Sequence, residues 1–429
     1  MTDLIRGVFK SKSKTPEQDA ILRKNISEAA AESALSYFRD GPRYPSWSLG
    51  MQVTLDLVCA TFGAMRHTNT LNTNEEFSVA KIGNAMRIIR DIEVDLTDCP
   101  GENKTEYWRV DHPSLYESPH PFFDELMSQD KERVEQNNPR QLYSEVVVHN
   151  EVIEAAKNKG HSMDQIMSLA PLDENEYIVV HFHGGAYCYE STAVYRRSML
   201  DFSQETGCRV FLPDYRFAPE NPFPASLVDC YQFYLHLINM GYKSSNILIM
   251  GDSAGGNAVL NILMLLKRAN KNQPKGAVAF SPWCDLTENS GIKENEKYDW
   301  VQKTNMHNIL ATIRLYADPG KPYDADLKKK LQHPLISPLY GDFTDCAPIY
   351  IQGGGSEVLI NGIDALAKHI GATEVQISGG EHPGFQTDER NIYEKYLGMP
   401  HVFFHFDDAP EHLAAIKGVG NFFRKLNQK

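Results

Sequence analysis

From Tyr177 onward the chain alternates short apolar runs with longer segments of helical period. The runs are 177–182, 209–213, 246–250, 276–281, 347–352 and 374–377, each bounded by glycine, proline or polar residues. Short apolar runs so bounded read as buried strands. Strands alternating with helices predict an α/β fold, a mostly parallel central sheet flanked by helices on both faces. Upstream the pattern is helical instead. Thr15-Pro16 opens a helix expected to reach about residue 37, and two further helical stretches lie near 49–65 and 76–90. Residues 1–91 are therefore expected to form a helical cap or extension, with the polar, basic first ~20 residues disordered. Residues 92–96 alternate like a strand, and 106–110 are expected to pair with them around Pro100-Gly101. The rest, 92–429, reads as one α/β domain with polar insertions at 112–172, 286–335 and 379–398.

Two runs end in turns that carry chemistry. The run 246–250 continues into Gly251-Asp-Ser253-Ala-Gly255 and then a helix-like stretch to Leu266. Strand, sharp turn and helix in that order make a nucleophile elbow, which lifts the Ser253 hydroxyl above the sheet edge. Glycine at 251 and 255 lets strand and helix approach without a clash of Cβ atoms. The run 177–182 leads into His183-Gly184-Gly185-Ala186-Tyr187. Attack on an ester carbonyl builds negative charge on its oxygen, which backbone N–H groups stabilise when already aimed at it. Paired glycines after a strand leave such groups accessible, and the N–H of Ala254 adds a donor from the elbow.

A serine hydroxyl needs a histidine to take its proton and a carboxylate to orient that histidine. In strand–elbow–helix hydrolases the acid and then the histidine follow the serine along the chain. Glu357 is the first carboxylate past the run 347–352; Asp364 and Asp285 stand as alternatives. Two histidines suit the base. His382 sits in Gly-Gly-Glu-His-Pro-Gly-Phe directly after the last run, and His401 in Gly-Met-Pro-His-Val-Phe nineteen residues later. Spacing alone does not choose between them. His405 and His412 read as surface or packing residues.

The chain from about 177 to its end resembles the hormone-sensitive-lipase branch of the α/β-hydrolase esterases. The residues that carry the likeness are His183-Gly-Gly-Ala-Tyr187, the stretch from Asp214-Tyr-Arg-Phe-Ala-Pro to Pro224, Gly251-Asp-Ser-Ala-Gly-Gly256, Ser281-Pro-Trp283 and Pro334-Leu-Ile-Ser-Pro-Leu-Tyr340. The resemblance implies an α/β-hydrolase catalytic domain, with Ser253 as nucleophile, Glu357 as acid and His401 as base. It implies oxyanion donors at Gly185, Ala186 and Ala254, with Gly184 shaping the turn. Two departures stand out. The family's His-Gly-Gly-Gly reads His-Gly-Gly-Ala here, and 379–398 looks inserted, with His382 imitating the catalytic loop. The N-terminal helices and the 286–335 stretch resemble the family's cap. The expected activity is that of a serine carboxylesterase on short- to medium-chain acyl esters, without metal or organic cofactor. Rivals are an amidase, lactonase or deacetylase using the same triad, or a non-catalytic small-molecule receptor such as the gibberellin receptors, which share this fold. Tyr187, Tyr189, Tyr215 and Trp283 are expected to line the substrate site.

Composition narrows the partners. A formal net charge of −13 argues against nucleic acid, which demands clustered Lys and Arg. No run reaches the length of a membrane span, and the N-terminus has no apolar core of signal-peptide length. The seven cysteines lack CxxC spacing, as expected of buried free thiols in a reducing compartment. The sequons at Asn25 and Asn103 then carry no meaning. The chain is expected to be cytoplasmic, a monomer or homodimer acting on a small-molecule ester.

Overall fold

The computed structural model describes residues 5, 8–10, 14–67, 107–112, 142–287, 293–301, 306–319, 321, 323–385 and 390–428. All six apolar runs become strands. The sheet comprises β1 (Tyr107–His112), β2 (Leu142–Val147), β3 (Ile178–Phe182), β4 (Arg209–Pro213), β5 (Ile247–Asp252), β6 (Gly276–Phe280), β7 (Ile349–Gly354), β8 (Thr373–Ile377) and β9 (Ile392–Tyr396). Their order is β1-β2-β4-β3-β5-β6-β7-β9-β8. Only the β1–β2 and β2–β4 pairings are antiparallel; the others are parallel. This is the mostly parallel sheet the pattern predicts.

Successive side chains of a strand point to opposite faces, so a sheet covered on both sides needs apolar residues at consecutive positions. β3 and β5 show it. Val180, Phe182 and Ile249 join one core, while Val179, Leu248 and Met250 join the other. Among the described residues, the helices of nine or more residues are α1 (Pro16–Asp40), α2 (Leu49–His67), α3 (Asn150–Asn158), α4 (Arg196–Thr206), α5 (Ala225–Asn239), α6 (Ala254–Arg268), α7 (Met306–Ala317), α8 (Ile360–His369) and α9 (Pro410–Asn427). Residues of α5, α6 and α8 pack in the first core, and residues of α4 and α9 in the second.

The N-terminal helices lie over the second core. Thr15 caps α1 in a reciprocal box with Gln18, and α2 buries Met51, Leu55, Val58 and Phe62 at helical spacing. Trp47 Nε1 donates to the Gly398 carbonyl at 2.9 Å. Arg43 bridges Asp56 at 2.7 Å and donates to the Lys297 carbonyl at 3.2 Å. Phe62 stacks on Trp300 with ring centroids 5.4 Å apart. These contacts join the N-terminal helices to the segment before α7 and to the loop after β9.

Three expectations need correction or fall outside what is described. The predicted helix at 76–90 and strand at 92–96 lie outside the described residues. β1 pairs antiparallel with β2; its expected pairing with 92–96 lies outside the described residues. The stretches read as insertions also supply strands: β2 lies within 112–172 and β9 within 379–398. Buried charge hid both. Glu145 of β2 is held by Arg196 at 2.7 Å, and Glu394 of β9 accepts from the Tyr396 hydroxyl at 2.8 Å. Glutamates normally mark solvent; here each has a buried partner.

Candidate active site

β5 ends and α6 begins around Ser253, whose backbone has φ 52 and ψ −113. A non-glycine residue in such a region costs about 1–3 kcal/mol and persists only where its surroundings enforce it. The enforcement comes from close packing. A Cβ on Gly255 would lie 1.8 Å from the Phe182 carbonyl oxygen, and one on Gly251 2.5 Å from the backbone of Gly255. Only glycine lets β3, β5 and the start of α6 converge so tightly.

His401 lies in the loop after β9, and its Nδ1 is 3.2 Å from Glu357 Oε2. Both side chains are buried. Burial pushes the imidazolium down and the Glu357 carboxyl up, so the pair rests with a neutral histidine. A ring whose Nδ1–H points at Glu357 leaves Nε2 free to accept a proton. The competing groups are engaged elsewhere. His382 Nε2 is 2.6 Å from Glu394, and its Nδ1 accepts from the Gly384 amide. Asp364 is bound by Tyr393 and Lys395, and Asp285 by the amide and hydroxyl of Thr287.

The turn after β3 is left-handed over three residues, with φ of 91° at Gly185, 51° at Ala186 and 58° at Tyr187. A Cβ on Gly185 would fall 1.9 Å from the Tyr189 carbonyl oxygen. The Gly184 amide donates to the Tyr195 hydroxyl at 2.9 Å, so it shapes the turn and is no oxyanion donor. The amides of Gly185, Ala186 and Ala254 meet no acceptor among the described residues. Beside them is a cavity of ≈ 70 Å³, lined by Ser253, His401, Gly185 and Ala186 and by apolar side chains including Tyr189, Val194, Trp283, Trp300 and Leu359. Two of the four expected aromatic lining residues are thus in its wall. Tyr187 and Tyr215 are corrected: they are fully buried behind it. The Tyr187 hydroxyl donates to Asn257, and that of Tyr215 donates to the His183 and Gly184 carbonyls. Their hydroxyls brace the turn, which their sequence positions did not reveal.

A family model for the alpha/beta hydrolase fold matches residues 179–386. An esterase of Acinetobacter venetianus is 28% identical over 253 residues, 58% of this chain and 75% of that protein. Mouse hormone-sensitive lipase is 29% identical over 135 residues, 30% of this chain and 18% of that protein. The chain is an α/β hydrolase, similar to esterases and to hormone-sensitive lipase. The crystal structure of an esterase from the bacterial hormone-sensitive lipase family superposes on the hydrolase with a TM-score of 0.55 at 24% identity. That superposition covers 96% of this chain and 98% of the other. At such identity it speaks for the shared fold. Among the described residues of the hydrolase no helix is long and apolar enough to cross a membrane, and no cluster of His, Cys, Asp or Glu has the arrangement of a metal site. Six of the seven cysteines are described; all six are free thiols, and all but Cys59 are buried.

Sequence reasoning missed several groups around the hydrolase's site. Asp299 accepts from the His401 amide at 3.1 Å and from the Val358 amide at 2.6 Å, clamping the loops that carry His401 and Glu357 together. Burial lifts its carboxyl to about 6. Trp300 Nε1 donates to the His401 carbonyl at 2.7 Å. Glu190, Tyr195, Asp252 and His405 also line the cavity, and His405 and His412 are buried rather than on the surface. Only Asp252 sat inside a recognised motif; nothing in the surrounding pattern marked the others.

Proposed function

We propose that the protein is a serine carboxylesterase in which Ser253, His401 and Glu357 act as a triad on short- to medium-chain acyl esters. The observation that carries this reading is the His401–Glu357 contact, with His401 and Ser253 facing one cavity beside three amides that have no acceptor among the described residues. His401 Nε2 takes the Ser253 hydroxyl proton, and the oxygen attacks the acyl carbon. The carbonyl π pair moves onto oxygen, where the amides of Gly185, Ala186 and Ala254 receive the charge. One such donor is worth roughly 10²–10³ in turnover. Collapse expels the alcohol, which takes the proton from His401. Water then attacks the acyl-enzyme, giving one proton to the same histidine; the bond from the acyl carbon to Ser253 breaks, the serine oxygen takes that proton back, and the carboxylic acid leaves.

Cavity size supports the acyl preference. A volume of ≈ 70 Å³ corresponds to roughly five water sites at 10–15 Å³ each, which suits an acyl group of a few carbons. Trp300 forms part of its wall and is backed by Phe62, so a long chain on that side needs the Trp300 ring to move. The test is a series of p-nitrophenyl esters, acetate to dodecanoate, hydrolysed by wild type and Ser253→Ala. Wild type is expected to favour the short half of the series, and Ser253→Ala to lose a factor of roughly 10⁴ or more in kcat with the fold intact by circular dichroism. Near-normal turnover by Ser253→Ala on every ester would end the assignment.

A further inference from the structure

Glu190 has no part in the triad, yet it is 5% exposed and lines the cavity. Its backbone is left-handed, at φ 75, a conformation that a non-glycine residue holds only under constraint. The constraint is visible around the Tyr195 hydroxyl oxygen. Glu190 Oε2 lies 2.5 Å from it, Asp252 Oδ2 lies 2.9 Å from it, and the Gly184 amide donates to it at 2.9 Å. A phenol hydroxyl has one hydrogen to give and two lone pairs to receive. Two ionised carboxylates compete for that single hydrogen, and the loser presses its lone pairs on the oxygen where screening is weak. All three contacts are satisfied together when one carboxyl keeps its proton. Tyr195 then donates to the carboxylate and accepts from the carboxylic acid and from Gly184.

Asp252 is the partner placed to carry the charge. Its Oδ1 is 3.1 Å from His181 Nε2, a ring that burial drives down to about 3 and so keeps neutral; the tautomer that carries its proton on Nε2 donates to a charged Asp252. Glu190 is left as the acid. We propose that Glu190 is a positioning residue for the oxyanion turn, holding one proton that links it through the Tyr195 hydroxyl to Asp252 and so fixes Gly184 and the amides after it. This rests on the reading of Gly185 and Ala186 as oxyanion donors.

The consequence is an alkaline loss of turnover that does not belong to His401. Burial raises the Glu190 carboxyl to about 8 and that of Asp252 to about 7. A group raised in the fold contributes while protonated, and its contribution disappears as pH climbs through the folded value. Among the described residues, the other titratable groups around the trio are His181 and His183 from β3 and its end, Tyr215 from the loop after β4, and His401 and His405 from the loop after β9. Burial lowers His181, His401 and His405, so none of these three loses a proton in the alkaline range.

The test compares kcat against pH, from about 6 to 10, for wild type, Glu190→Gln and Glu190→Ala on p-nitrophenyl acetate, with Ser253→Ala as the floor. Wild type is expected to lose kcat through one alkaline deprotonation. Glu190→Gln supplies a donor with no proton to lose; it is expected to stay within about threefold of wild type at pH 7 and to lack that limb. Glu190→Ala is expected to fall about tenfold or more in kcat, with KM within about threefold. An unchanged alkaline limb in Glu190→Gln, or wild-type kcat in Glu190→Ala, would overturn the proposal. Should the alanine variant not fold, the glutamine profile decides alone. If Ser253→Ala itself stays active, the failure lies in the triad reading rather than in Glu190.

Discussion

Replacing Asp299 by asparagine tests how the base and the acid are kept in register. The carboxylate oxygens receive the His401 amide at 3.1 Å and the Val358 amide at 2.6 Å, and the side chain is outside the cavity wall. Asparagine has nearly the same volume but only one acceptor oxygen. Whichever way its amide turns, an NH2 faces a buried N–H. A hydrogen bond to a charged group contributes about 1.5–3 kcal/mol, and a buried donor left without a partner costs about 1–3 kcal/mol. The change therefore costs about 2–4 kcal/mol, relieved in part by a shift of residue 358 or 401. A displacement near 1 Å lowers turnover by roughly 10². Asp299→Asn is expected to lose about 30- to 100-fold in kcat at pH 8, with KM within about threefold because no substrate contact is touched. Urea unfolding is expected to show a loss of about 2–4 kcal/mol. Wild-type kcat together with a wild-type urea midpoint would refute the clamp.

Other perturbations reach different parts of the molecule. Gly255→Ala sets a methyl 1.8 Å from the Phe182 carbonyl oxygen; expression without measurable esterase turnover is expected, and an active, stable variant would contradict the packing of the elbow. Arg209 is buried and donates to the Ile166, Ser168 and Ala170 carbonyls and to Glu176. Arg209→Met leaves those carbonyls without their donor and the Glu176 carboxylate without its cation, for an expected loss of about 3–5 kcal/mol in urea unfolding; a loss under about 1 kcal/mol would show the network to be slack. Trp300→Ala removes a wall of the cavity and is expected to move the ester-length optimum upward; an unchanged optimum would place the size limit elsewhere. His401 must be neutral to act, and burial lowers it from 6.5, so the acid limb of kcat/KM is expected to have its midpoint below that value. A midpoint above 6.5 would mean that Asp299 and Asp252 outweigh burial.

The fold was legible wherever apolar runs ended in turn residues, because a sheet buried on both faces requires such runs; β3 to β8 all follow from it. It was illegible at β2 and β9, where Glu145 and Glu394 break the run and only a distant partner makes them tolerable. Ser253, Glu357 and His401 were readable from motifs, although choosing His401 over His382 depended on family likeness. The structure accounts for the ambiguity: His382 has a carboxylate of its own in Glu394, yet it does not line the cavity that holds Ser253. Tyr187 and Tyr215 were misread because an aromatic residue beside a glycine turn looks the same whether it faces a ligand or braces the backbone. Asp299 and Glu190 were invisible because their partners lie on other elements, and no local pattern records a contact between residues 299 and 401.

The hydrogen bond from Trp47 to Gly398 spans 351 positions, and Phe62 rests on the tryptophan that holds the His401 carbonyl. A ribosome delivers the early helices long before the loop they lean on, at about 5–20 residues per second. Those helices must wait roughly 18–70 seconds for their counterpart, given that rate, with Met51, Leu55 and Val58 still without that anchor. With His401 as the proposed base, the nascent polypeptide is inert as a catalyst until that residue has been made, and a truncation before it yields a sheet without the proposed histidine.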